Sequence, residues 1–533
     1  MATRDDVIES FGHVSRTTGT VFRYLLLAAT LFGIVALTVL LIYVANDAIR
    51  PLTADPGWHL AFFLTLVLPT LAVSGYLFRT DPASFRFGAG VVGALAVSTM
   101  FAGGAAMIFV DIVSPVVWFG YVIALCLALA GVVVIERFDR QLPFLARFVG
   151  AGAVIVGSVL VVPGLIQSLP VYPTDGIMLT LSLGAPVAVV VGRYAAADAG
   201  RRGQALAVLA GVAGVGAGGV LGPLLAIGAV PATVLLAVAV VPTAGFAVGT
   251  VRRTPARRTG LLLTAVVLGG TLVGAAAVDA LGFAGPQSWV DWQFLTSAHS
   301  GNAVDAGLYP AIGGSILLMV TVAALSFPLG VGAAVYLEEY APDNRFTRFI
   351  DVNISNLAGV PSVVYGLLGL GVFVTYLGQP TGTVLIGGAT LALLILPIVI
   401  ISAREALRSV PDSMREASYG MGATRWQTIK NVVLPRAFPG ILTGTILALG
   451  RAIGETAPLI MIGAPNVLFS LPTALSSKVS AMPLQVYAWA SLFASEPFYQ
   501  AAVPAGVVVL LIVLLSMNSV AIVLRNKYQS DSK

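Results

Sequence analysis

Two charged residues stand where charge is costly. Arg451 and Glu455 fall in the apolar stretch that begins near Gly440, four residues apart. On a helix that spacing puts both on one face. Arg451 would lie about 16 Å along such a helix at ~1.5 Å per residue, near the midplane of a hydrocarbon core about 30 Å thick. An ionisable group at that depth faces a pathway or a partner. A planar guanidinium gives an oxyanion paired, charge-assisted hydrogen bonds. Two roles are open: contact with a passing anion, or an ion pair that locks the helix. Arg before Glu is the weaker order for helix support, which favours the first. Ser362 and Tyr365 lie in another apolar stretch. They could line the same path or hydrogen-bond neighbouring helices. Arg404, Glu405 and Arg408 end a further stretch, where basic residues ordinarily anchor the cytoplasmic end. Glu338 and Glu339 end another and are expected to meet basic partners in an assembly.

A second concentration of chemistry is the polar island 411–435, set between long apolar segments. It reads as two short helices joined by a turn. Ser413 precedes Glu416 by three residues, and Thr424 precedes Gln427 by three; both pairs have capping-box spacing. Gly420 and Gly422 suit the left-handed backbone of a turn, and Pro435 is expected to stop the second helix.

The composition limits what such residues can do. The chain has 533 residues, 58% hydrophobic and 10% charged, against about 25% charged in a soluble domain. An all-α polytopic membrane protein is expected. The net charge of +5 is spread between apolar spans, not gathered on one face, so it does not point to nucleic acid. The single cysteine, Cys126, excludes an internal disulfide and a cysteine-rich metal site. His13, His59 and His299 are far apart and read as loop residues. The first apolar run starts near Val21 and is long enough to span, so it does not read as a cleaved signal. None of Lys430, Lys478, Lys527 and Lys533 is followed by Ser or Thr, so there is no Walker A phosphate loop. The chain is expected to bind no cofactor; if ATP drives it, another chain hydrolyses the ATP.

About 20 apolar residues cross a bilayer. The first half offers about eight such spans: 22–46, 59–78, 88–110, 114–135, 148–168, 177–193, 205–228 and 230–250. Basic residues alternate between their connections. Arg4, Arg16 and Arg23, then Arg79 and Arg86, then Arg137, Arg140 and Arg147, then Arg193, Arg201 and Arg202, then Arg252, Arg253, Arg257 and Arg258 fall on one side. Only Arg50 falls on the other. That is the positive-inside pattern, with a cytoplasmic N-terminus. Glycine-rich runs such as 211–219 favour close helix packing, and the first half shows no site chemistry. The basic linker 252–258 separates it from about six more spans, near 260–283, 310–336, 355–378, 383–403, 438–462 and 503–524. Arg345, Arg348, the island 411–435, Arg525 and Lys527 then lie inside, and about 14 spans result with both ends cytoplasmic. The division expected is 1–255, a multi-span extension, and 256–533, a six-helix membrane domain.

The island carries a recognisable order: Glu416-Ala417-Ser418, three residues, Gly422, nine residues, then Val432-x-Leu434-Pro435. It resembles the EAA coupling loop of ABC importer permeases, with Ser418 and Val432 as mild departures. Four further stretches, 307–311, 327–341, 359–369 and 451–459, resemble the PstA-type permease family of phosphate importers. The resemblance covers about 256–533 and says nothing of 1–255. It implies that Glu416, Ala417, Ser418, Gly422, Leu434 and Pro435 form a loop docking into a separate ATPase. It further implies a PstC-like permease partner, two PstB-like ATPase subunits, a PstS-like extracytoplasmic phosphate-binding protein, and a place in the cell membrane. Arg451, Glu455, Ser362 and Tyr365 would then stand on the phosphate path. Other readings stay open: a permease for sulfate or molybdate, a multipass sensor or scaffold worked by the first half, and a secondary transporter, for which a coupling loop serves no purpose.

Overall fold

In a bilayer every backbone polar group must find its partner inside the protein, which leaves helices for a chain this apolar. The computed structural model describes residues 16–138, 144–169, 175–225 and 227–530; Arg4, His13, Arg140 and Lys533 lie outside the described residues. Among the described residues thirteen helices are long and apolar enough to span, and one bent pair makes up to 14. The first half supplies α1 Arg16–Ile49, then α2 Pro56–Thr80, α3 Pro82–Asp111, α4 Pro115–Ile135, α5 Gly150–Ser168, α6 Asp175–Ala195, α7 Arg201–Leu224 and α8 Ala229–Arg253. The second half supplies α9 Pro255–Leu281, the short α10 Trp292–Thr296, α11 Tyr309–Tyr340, α12 Arg345–Ala358, α13 Ser362–Tyr376 and α14 Val384–Arg408. Next come α15 Asp412–Gly420, α16 Arg425–Ala452, the short α17 Ala457–Met461, α18 Met482–Ser491 and α19 Phe498–Ser519. Extended pairing among the described residues is an isolated bridge, Thr383 to Lys478.

Proline does not stop these helices. Pro69, Pro186, Pro242 and Pro435 each follow a wider π-turn, at Phe63–Val67, Thr180–Gly184, Leu236–Val240 and Ile429–Val433. Proline lacks an N–H and crowds the carbonyl four residues earlier. The π-turn contains that carbonyl each time and shifts its bonding by one residue. The expected stop at Pro435 is therefore corrected: α16 runs unbroken from the polar island into the apolar stretch. The expected span 355–378 is also corrected. Gly359-Val-Pro361 breaks it, and α12 and α13 meet at 106°. Proline biases the preceding residue away from helix, so the break follows from the sequence Val360-Pro361.

The core of the second half is built on α14, two thirds of whose most apolar window is buried. It packs on α11, α12, α13 and α16. Leu318, Val322, Leu391, Ile395, Val399, Ala448 and Leu459 are buried together there. In the first half α4 packs on α5, α6 on α7, and α7 on α8. Helix α9, which opens the second half in sequence, packs against α2 and α3. Helix α1 lies on α19 instead. Ser516 of α19 also donates to the Met100 sulfur of α3 at 3.2 Å, so the halves meet along α19.

Candidate functional site

Arg451 and Glu455 flank a break, not a continuous span. α16 ends at Ala452, the chain leaves helical geometry at 453–456, and α17 begins at Ala457. This corrects the expected uninterrupted helix over 438–462. Arg451 is thus in the last turn, and Glu455 lies beyond it. The pair still meets, Nε to Oε1, at 3.4 Å. That is the outer limit of a hydrogen bond. The Arg451 side chain is 47% exposed and Glu455 17%. Among the described residues the two terminal nitrogens of Arg451 have no partner.

The other two pathway candidates come from α13, which packs against α17. The contact is tight: a Cβ on Gly366 would press on Pro458 and Met461. Tyr365 is buried, and its hydroxyl donates to the Leu357 carbonyl at 2.9 Å. That carbonyl belongs to the end of α12, so Tyr365 pins the bend between α12 and α13. Ser362 opens α13, one turn before Tyr365 on the same face. The structure therefore packs α13, which carries both, against the short helix that follows the break. Sequence reasoning missed Asn518 of α19. Its buried Oδ1 has no hydrogen-bond partner among the described residues and faces Gly450, next to Arg451. An asparagine within an apolar run was the available signal.

At the other end of α16, the island forms the expected hairpin. Thr424 and Gln427 make both bonds of a capping box, at 3.3 and 2.8 Å. Ser413 and Glu416 do not: Pro411 occupies the cap of α15 and no side chain caps it. Proline fixes an extended residue there, so Ser413 stands two positions past the cap, inside the helix. Gly422 has φ +82° and makes the turn. Ser418, a departure from the resembled pattern, is used: its hydroxyl bonds Thr428 at 2.8 Å, both side chains buried, and ties the two arms.

A set of ion pairs holds the hairpin to the core. Arg415 meets Glu339 at 2.9 Å and donates to the carbonyls of Leu407 and Val410. Arg404 joins Glu338 at 3.3 Å and Asp351, and Arg408 joins Glu338 at 2.9 Å. Glu338 and Glu339 thus find their basic partners within the chain, which corrects the expectation of partners elsewhere. Sequence spacing could not show it, because the pairs lie 53 to 76 residues apart. Glu416, Ala417 and Gly422 remain on the outer rim, while Leu434 packs inward. Beside them Met421 and Trp426 are exposed, at 82% and 59%. Sequence reasoning missed both.

His299 is a loop residue, as expected, and a buried one. The Trp489 indole donates to its Nδ1 at 3.0 Å, and the Phe493 ring lies 4.5 Å away. Burial holds its pKa below the ordinary 6.5. The unfolded chain then binds the proton more readily, so this stability is full above about pH 6.5 and is lost as pH falls below it. The melting temperature is expected to drop between pH 7.5 and 5, and His299→Gln is expected to flatten that drop. An equal drop in both proteins would show that another group titrates.

The family described as "Binding-protein-dependent transport system inner membrane component" matches residues 326–527. Probable ABC transporter permease protein YqgI of Bacillus subtilis (strain 168) is 40% identical over 174 residues, covering 32% of this chain and 58% of YqgI. Probable ABC transporter permease protein YqgH of the same organism is 37% identical over 227 residues, covering 40% of this chain and 73% of YqgH. Phosphate transport system permease protein PstA of Yersinia pestis is 36% identical over 225 residues, covering 41% of this chain and 72% of PstA. The chain therefore spans little more than half of YqgI and over two thirds of the other two.

Proposed function

This chain belongs to the binding-protein-dependent transport system inner membrane component family, and we propose that it is the permease subunit of an ATP-driven phosphate importer. The observation that carries the reading is one helix, α16, with a buttressed hairpin at one end and the Arg451–Glu455 break at the other. A push on the hairpin is delivered by a rigid rod to the break. Similarity to PstA supports phosphate as the substrate.

In this reading the hairpin rim of Glu416, Ala417, Met421, Gly422 and Trp426 sits in a cleft of a separate ATPase. The apolar pair supplies the buried contact. ATP is hydrolysed there, by two PstB-like subunits, and this chain has no catalytic centre of its own. A PstC-like permease completes the path, and a PstS-like protein delivers phosphate outside. The basic connections support a cytoplasmic hairpin and cytoplasmic termini. Residues 256–533 hold the transport machinery, with 1–255 as the extension. Arg451 meets the anion at the break, where a dehydrated phosphate without a cation is strongly disfavoured.

The test is uptake by proteoliposomes holding this chain with its partner permease, ATPase and binding protein. ATP-dependent accumulation of phosphate is expected, undiminished by a tenfold excess of sulfate or molybdate. Accumulation of sulfate or molybdate in place of phosphate would overturn the substrate, and no ATP dependence would overturn the class.

A further inference from the structure

Short runs of residues near the start of the chain recur in the same order at the start of the second half. Leu25-Leu-Leu-Ala-Ala29 is answered by Leu261-Leu-Leu-Thr-Ala265, both just after an arginine, Arg23 and Arg258. Asp47-Ala-Ile49 is answered by Asp279-Ala-Leu281. Trp58, four residues, Phe63-Leu-Thr65 is answered by Trp289, four residues, Phe294-Leu-Thr296. The two copies are colinear, with about one extra helical turn in the first, which is the length of four residues. The first copy is α1, the loop after it and the start of α2. The second is α9 with the loop into α10.

In the structure the end of each helix meets the other copy. The end of α1 lies on the loop of the second copy: Trp289 N–H donates to the Ala48 carbonyl at 2.8 Å, and the Arg50 guanidinium sits 5.6 Å from the Trp289 ring. Arg50 is the one non-glycine residue with positive φ, 49°, among the described residues, so the chain turns sharply there. The residues that end α9 lie on the start of α2: a Cβ on Gly57 would press on the Phe283 ring, and one on Gly285 would meet the Trp58 indole. The loops are stitched together. Asp55 N–H donates to the Ala284 carbonyl at 3.0 Å, and its carboxylate accepts from Ala284 N–H at 2.7 Å. Gln287 N–H donates to the Thr53 hydroxyl at 2.8 Å. The helices follow the loops. α1 contacts α19 of the second half, with its residues 19–43 all exposed, and α9 lies along α2 and α3 of the first.

We propose that the two copies have exchanged places. α1 serves as the first helix of the core that runs from Tyr309, and α9 closes the bundle that runs from Pro56. Exchange of like elements costs little, because each seat accepts either copy. The N-terminal region is then not a detachable accessory: residues 16–55 are part of the machinery assigned to the second half. The functional consequence rests on that assignment, whereas the exchange itself does not.

The test has a structural and a functional arm, in the full chain carrying Cys126→Ala and assembled with its partners. The pairs Ala48→Cys with Trp289→Cys and Asp55→Cys with Ala284→Cys are oxidised in membrane vesicles, after a protease site is inserted at 252–258. Cross-linked halves in most molecules are expected from both pairs. Halves that separate for both pairs would overturn the exchange, whatever the protein transports. In the functional arm a chain beginning at Pro56 is expected to lose at least tenfold in phosphate uptake and to recover it when 1–55 is co-expressed. Uptake within twofold of the full chain without that segment would overturn the role of α1. A full-length variant, in which the apolar part of α1 is replaced by that of α9 plus one turn, is expected to keep uptake. An unrelated apolar helix there is expected to lose it; equal uptake by both would also overturn the role.

Discussion

Arg451→Gln is expected to cut phosphate uptake about ten- to hundredfold while the chain still inserts and assembles. The magnitude follows from one lost hydrogen bond between charged groups, about 1.5–3 kcal/mol. The side chain is half exposed at the break, so its removal opens no cavity in the core. Its hold on Glu455 is a single 3.4 Å contact. Such a contact is worth little as helix support, since exposed pairs contribute about 0–1 kcal/mol. What remains is a guanidinium with free donors at the break. Glu455 would hold it while the path is empty and release it to the anion; its own charge would otherwise repel phosphate. Glu455→Gln is therefore expected to be milder for uptake and to loosen the link between uptake and hydrolysis. The exchange Arg451→Glu with Glu455→Arg separates the two roles. A pair that only ties the break together would tolerate it. Near-normal uptake by the assembled double variant would remove Arg451 from the path.

The spans were legible because each is a long apolar run punctuated by arginine. The eight in the first half fall where hydropathy and charge put them, including the pair parted only by a few residues near Gly228. Breaks within spans were not, because they depend on backbone bonding that hydropathy ignores. Val360-Pro361 bends a span through 106°, whereas Pro435, preceded by a π-turn, bends nothing of the kind. Proline alone does not tell these apart; the room to rebond the carbonyl four residues back does. The site shows the same division. The hairpin at 411–435 could be read from local order, since capping and turns act over three or four residues. The bonds that fix it, Arg415 to Glu339 and Ser418 to Thr428, cross 76 and 10 residues. Nothing local distinguishes them from a solvated charge and a mild substitution. Trp426 and Met421 were overlooked for a related reason: inside a polar island a lone apolar residue looks like filler until its exposure is seen.

Gly422→Val is expected to lower phosphate-stimulated ATP hydrolysis of the assembled importer several-fold, with Gly422→Ala between it and the native chain and Gly422→Asn nearly native. The order follows from one torsion angle. Gly422 has φ +82°, and a Cβ built there meets nothing within 4 Å. The space is open, so the cost of any side chain is conformational. It is about 1–2 kcal/mol for an ordinary L-residue held in the left-handed region, less for asparagine and most for a β-branched residue. The hairpin has one cheap way to relieve that strain, which is to unwind the turn and let α15 swing away from α16. The Arg415–Glu339 pair resists, because separating a buried pair by removing one partner costs about 3–5 kcal/mol. The strain therefore concentrates at the rim, where Met421, Trp426 and Glu416 are presented, and leaves the membrane helices in place. Glu416→Lys reverses a rim charge without straining the turn and is expected to lower stimulated hydrolysis as well, with a steeper salt dependence. Steric crowding by the partner would instead rank the Gly422 substitutions by volume, with asparagine worse than alanine. Hydrolysis that falls in that order would replace the torsional account, and stimulated hydrolysis unchanged in all four variants would remove the hairpin from coupling.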